Sequence, residues 1–206
     1  MTHRVRLRRA AAIALTVVAG AAAAATTVTP AAAATAAPAF LDPAQLPPHP
    51  GSAWYGGPVT GGVPDPLPFC VGAALPGATS QHRDFWTEFD TNAEQITVVE
   101  RDEARATTLA TLLNNAIRQC ADRAEQEDPD VTAEWRDYGR VDVEEGARVH
   151  GVRTTHAWTG NDVHLFAVGR DGRTVTVVHW AQMGTFDGIP VPGFKKTTRT
   201  AVNKLY

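Results

Sequence analysis

The 206-residue sequence predicts an α+β domain: an antiparallel β-sheet of about five to six strands ending in a C-terminal meander, packed with two main helices and closed by one disulfide. Three observations lead there. Apolar residues return every three to four positions across 109–120, the period of one helix face. Residues 148–183 form three apolar, β-branched runs separated by Gly160-Asn161 and Asp171-Gly172, the punctuation of hairpins. Cys70 and Cys120 are the only cysteines, an even count.

At the front, Arg4, Arg6, Arg8 and Arg9 precede an uncharged Ala/Val/Leu/Ile run over 10–25 and then small-residue sites. This is the pattern of a secretory signal peptide over residues 1–34, cleaved near Ala34. The run is too short and too Ala-rich for a stable span, so the mature chain is expected outside the cell with no membrane span. Cleavage leaves 15 basic residues against 22 acidic ones, a net of −7. That balance argues against nucleic acid and anionic membrane as partners. In an exported chain the two cysteines read as a Cys70–Cys120 disulfide.

Residues 35–80 hold most of the Pro and Gly and form an extended arm. Phe40, Leu41, Trp54, Tyr55 and Phe69 make it too apolar for a free linker, so it is expected to lie on the domain formed by residues 81–206. That domain opens with a hairpin of strands 83–89 and 95–101 around Asp90-Thr91-Asn92. Leu109, Leu112, Leu113, Ala116, Ile117 and Cys120 then give one helical stripe, which Asp128-Pro129-Asp130 ends. A strand over 131–143 turns at Glu144-Glu145-Gly146 into the meander of strands 148–158, 163–169 and 174–183. Phe194, Thr198, Ala201, Val202 and Leu205 form the stripe of the last helix.

A two-residue Asp171-Gly172 loop sets Phe166 opposite Val177 and His164 opposite His179 on one face, with Val163 opposite Trp180 on the other. Both faces are apolar in the middle, so something covers each. Helices can cover one; the arm, a partner chain or a ligand in a cleft can cover the second. His164, His179, Phe166 and Trp180 are therefore the candidate ligand-binding residues. The two histidines could share a metal, but no third strong ligand is evident, and neither a metal centre nor a cofactor is expected. Ser52 and Ser80 are the only serines, outside any G-x-S-x-G, and no H-E-x-x-H, P-loop or dinucleotide fingerprint occurs. Glu88, Glu134, Asp137 and Glu144 keep open a carboxylate-dependent hydrolase acting on envelope polysaccharide. No catalytic residue is assigned.

The order A-F-L-D-P-A-Q-L-P at 39–47, Trp54, a cysteine before the first hairpin, a strand and helix ending in Cys120, and V-G-R-D-G-R-T-V-T-V-V at 168–178 resembles the PknH-like extracellular sensor domains of actinobacteria. The resemblance runs from Ala39 to Tyr206. It implies an α+β domain with a cleft, stiffened by disulfides, that binds an extracellular small molecule or envelope component, and it offers no established catalytic residues to carry over. The chain departs from that pattern in having two cysteines where the kinase-linked domain has two disulfides, and in having no kinase or transmembrane segment. Signalling would then need a separate membrane receptor, or the protein acts by capture alone. The expectation is a secreted, non-enzymatic sensor-like domain with a small or envelope-derived ligand in a cleft beside the sheet. The alternatives are the hydrolase and a protein-interaction or inhibitor module, for instance a homodimer.

Overall fold

The computed structural model describes residues 37–206, and the expected signal peptide lies outside them. Two short strands of the arm, β1 (Tyr55–Gly56) and β2 (Thr60–Gly61), line the outer edge of β3 (Ser80–Trp86). β3 pairs with β4 (Asn92–Val99), and the chain then enters α1 (Glu103–Arg118) and α2 (Cys120–Glu127). The meander follows as β5 (Val131–Val141), β6 (Ala147–His156), β7 (Gly160–Asp171) and β8 (Thr174–Met183), and α3 (Val191–Asn203) closes the chain. The order across the antiparallel sheet is β1-β3-β4-β8-β7-β6-β5. Eight strands result because the arm adds two to the six longer ones.

The topology follows from reach. β4 and β5 stand four strand spacings apart, about 19 Å, and the 16 residues of α1 rise about 24 Å. The helices therefore carry the chain across one face to the far edge, and the meander returns to place β8 against β4. Asp102 caps α1 by accepting the Arg105 N–H at 2.8 Å. The single helix expected up to Asp128 is interrupted at Gln119, whose backbone leaves helical values (φ −92°, ψ 1°). α2 then starts at Cys120, which is bonded to Cys70.

Both sheet faces are covered, each by a helix. Leu109, Leu113 and Ile117 of α1, with Val71 of the arm, pack on Ile96, Phe166, Val168 and Val177. On the opposite face Phe194, Ala201 and Val202 of α3, with Leu205 just beyond its end, pack on Val163, Leu165, Val178 and Trp180. Leu41 and Leu46 of the arm are buried in that second cluster. The arm is fastened there by the fully buried Gln95, whose Oε1 accepts the Leu41 N–H at 2.6 Å while its Nε2 donates to Thr176 Oγ1.

Two registers differ from expectation. The first hairpin closes at Trp86↔Asn92, three residues early, because both the N–H and the Oγ1 of Thr87 donate to the Thr91 carbonyl. In the last hairpin Asp171 pairs with Thr174, so the turn is Gly172-Arg173. Gly172 has φ +52° and Asp171 is not among the positive-φ residues. Gly is thus the first central residue, as in a II′ turn, and not the second of an Asp-Gly turn. The pairing slips by two residues, which keeps every side chain on its expected face.

Candidate functional site

That slip changes who meets whom. Phe166 stands directly across from His179, and His164 from Ala181. The histidines still touch diagonally, with His164 Nδ1 3.0 Å from His179 Nε2. Phe69 of the arm tilts against the His164 ring at 4.8 Å, and Gly62 O contacts His82 Nδ1 at 3.0 Å. The arm is thus anchored at both ends of residues 62–69. Burial lowers His164 to about 4, and burial together with the His164 neighbour holds His179 well below the usual histidine range. Both are neutral imidazoles sharing one hydrogen bond.

Next to them lies an acid pair that periodicity did not single out. Glu94 is directly across from His179 on one side and from Asp84 on the other. Burial, then the Asp84 charge and a hydrogen bond to it, raise Glu94 to about 8. Glu94 therefore carries its proton at neutral pH. The register of the first hairpin was the signal that could have found this pair. The acids named from sequence are placed otherwise: Glu134 faces Arg136 and Arg153, Asp137 pairs with Arg148, and Glu88 accepts from Tyr55.

Trp180, the fourth candidate, does not join the histidines. It lies on the α3 face, 2% exposed, lining a cavity of about 180 Å³ beneath the arm. Sequence reasoning also missed His150. It is fully buried, bonded through Nε2 to Asn114 Oδ1 of α1 at 2.8 Å and through Nδ1 to the Trp135 indole at 3.3 Å. Burial lowers it to about 4.

Among the described residues, Asp128, Asp130 and His156 bring potential metal ligands within 4.8 Å of one another. The imidazole is turned the wrong way for a metal. His156 Nδ1 accepts the Trp158 N–H at 3.1 Å, so the ring proton sits on Nε2, which faces Asp128 at 3.6 Å.

A cleft does lie beside the sheet, between α1 and the ends of the meander hairpins, with a volume of about 300 Å³. Thr111 and Asn114 form its helical wall, and Arg140, Arg148 and Arg170 converge from the sheet. Ala110 of α1 and Gly146 of the β5–β6 turn put no more than a methyl group on its wall. Arg148 is neutralised by Asp137, and Arg170 pairs with Glu145 at 3.6 Å. Arg140 stands directly across from Arg148 in the β5–β6 ladder and makes no ion pair among the described residues. Like charges opposed across a ladder are unfavourable. The Arg140 guanidinium packs over the turn, where a Cβ on Gly146 (φ +98°) would come within 2.7 Å of it.

Among the described residues no helix is long and apolar enough to cross a membrane. No protein-family model matches the chain, and no curated relative is found. Among solved structures, the extracellular domain of PknH from Mycobacterium tuberculosis aligns over 72% of this chain and 84% of that one, at 11% identity and a TM-score of 0.41. A likeness of that size transfers neither family, ligand nor activity.

Proposed function

We propose that this chain is an exported, non-enzymatic binding domain that takes a small anionic ligand, of the size of an envelope-derived phosphate or carboxylate compound, in the cleft between α1 and the sheet. The observation that carries the reading is Arg140, a cation held over Gly146, opposed to Arg148 and without an ion-pair partner among the described residues. A bound oxyanion would accept from the Arg140 guanidinium and supply the counter-charge that Arg148 already has in Asp137. Export is supported by the basic-then-apolar N-terminal pattern and by the disulfide.

Binding is favoured over polysaccharide hydrolysis by the geometry of the acids. Glycosidases place two carboxyl groups roughly 5–9 Å apart around the scissile bond, whereas Glu134 and Asp137 are each held in an ion pair with arginine.

Native mass spectrometry of the protein recovered from its culture medium tests the reading, together with an NMR titration using inorganic pyrophosphate. The backbone amides of Thr111, Asn114, Gly146 and Gly169 should shift saturably, with affinity falling as salt rises and roughly tenfold weaker in Arg140→Gln. A clean mass together with unmoved amides would overturn it.

A further inference from the structure

The cavity on the opposite face of the sheet is built as a second, independent site. We infer that it receives a small uncharged acetamido group. Two indoles, Trp54 and Trp180, and prolines including Pro47 and Pro190 make its wall largely apolar, and among the described residues His49 is its one titratable side chain, with no Asp, Glu, Lys or Arg. At about 180 Å³ it is smaller than the 300–1,000 Å³ of drug-sized pockets. It therefore fits one substituent of a ligand. Exposed Pro50 and Gly188 lie on its rim and leave the rest of that ligand in solvent.

Three polar side chains on this wall have no partner among the described residues, while His49 accepts the Gly51 N–H through Nδ1 at 3.2 Å. Thr91 is 2% exposed, and its Oγ1 is the buried side-chain oxygen without a hydrogen-bond partner among the described residues. Trp180 is equally buried as a residue, and among the described residues its indole N–H donates to no group, but of the two only the Thr91 oxygen is shut off from water. The Gln182 side-chain amide, also on the wall, is likewise unengaged there. Trp54 differs, since its indole donates to the Pro47 carbonyl at 2.7 Å and so holds the wall in place.

Buried polar groups are nearly always satisfied, and an exception points to a missing partner. An indole N–H needs an acceptor, and a hydroxyl can donate to the same oxygen. An amide side chain can accept an N–H through Oε1. The apolar box needs a methyl-sized body, and burial of a charge here would go uncompensated. A carbonyl, an N–H and a methyl group in so small a volume describe CH3–CO–NH–. N-acetylated amino sugars and acetylated peptide ends both carry it.

The test is an NMR titration of the full mature chain that follows the Trp180 indole N–H, with N-acetylglucosamine, N-acetylalanine methylamide and glucose as probes. Expected is a saturable downfield shift with one or both acetamido probes and none with glucose. A response to the sugar alone assigns a glycan source, and to the peptide alone a peptide source. Binding should weaken about tenfold in Gln182→Leu and in Thr91→Val, the loss of one hydrogen bond each. Both variants leave Trp180 and the core around it unchanged, and thermal melts confirm their folding. The inference is overturned if no acetamido probe moves the indole resonance, if glucose moves it equally, or if both variants bind as the natural protein does. Arg140→Gln should leave this titration unchanged, so the two sites are tested separately.

Discussion

The rings of Phe166 and His179 lie parallel, 2° from coplanar orientation and 4.4 Å apart, on directly opposed positions of β7 and β8. This stack seals His179 from water on one side, while His164 closes another. The same strip of sheet continues into Glu94 and Asp84. A fold that buries neutral histidines beside a neutral carboxylic acid has a stability that depends on pH in both directions.

His164, His150 and His179 have folded pKa values below the ordinary 6.5. The unfolded chain therefore binds more protons than the fold from pH 6.5 down to about 4, and stability is lost as pH falls through that window. Glu94 has the opposite sign: raised from 4.5 to about 8, it is protonated in the fold while ionised in the unfolded chain. Its contribution is lost as pH rises towards 8. Three histidines outweigh one acid below pH 6.5, and Glu94 acts alone above it, so urea melts should show maximal stability near pH 6.5. The decline between pH 6.5 and 8 should be at most about 2 kcal/mol, and Glu94→Gln should abolish it. A flat profile in the natural protein would contradict this assignment.

Cys70 holds a left-handed backbone (φ +65°) between its disulfide to Cys120 and its carbonyl, which accepts from Arg123 at 3.0 Å. The bridge spans 50 residues, a loop whose closure is worth about 4 kcal/mol in the chain-entropy description. Reduction, or the double variant Cys70→Ser/Cys120→Ser, should lower Tm by roughly 10 °C. Calorimetry in the presence and absence of reductant measures this directly.

Gln95→Leu should cost about 1–3 kcal/mol although it adds apolar volume to an apolar surrounding. The loss of Oε1 leaves the buried Leu41 N–H without its acceptor. Hydrogen exchange around Leu41 should accelerate more than the global stability change explains, because the arm loses its tie to β4. Unchanged protection there would show that packing alone fastens the arm.

Gly169 is the point of closest approach of α3 to the sheet: a Cβ there would sit 2.4 Å from Val202 Cγ2 and 3.0 Å from Ala147 Cβ. Gly169→Ala should destabilise the fold by about 1–3 kcal/mol through displacement of α3. Chemical denaturation reports it, and Val202→Ala in the same chain should recover part of the loss by making room. Independent, additive effects of the two changes would rule out this contact as the cause.

Much of the fold was legible because its signals are local. The stripes from Leu109 to Ile117 and from Phe194 to Leu205 record the period of 3.6, and the apolar runs bounded by turn residues mark the strands of the meander, signals that depend on neighbours in the chain. The cysteine pair needed only a count. The apolarity of both sheet faces correctly required a cover on each, and even a register slip of two preserved those faces. The cleft at Arg140 was not legible, since none of the four residues named from sequence lines it. His164, His179 and Phe166 do meet, because the same hairpin carries them, while Trp180 belongs to the other face.

What the tertiary structure decided are the meetings between distant residues. Glu94 comes beside His179 only because β4 docks on β8 after α1 and α2 cross the sheet. Arg140 opposes Arg148 through a ladder whose bulge lies between Asp137 and Gly139. The cavity at Trp180 exists only where the arm folds back over residues 180–190. No periodicity encodes such distances, since strand order and the backbone angles of a few turn residues determine them. Local pattern settled which residues face inward, and long-range packing settled which of them face one another.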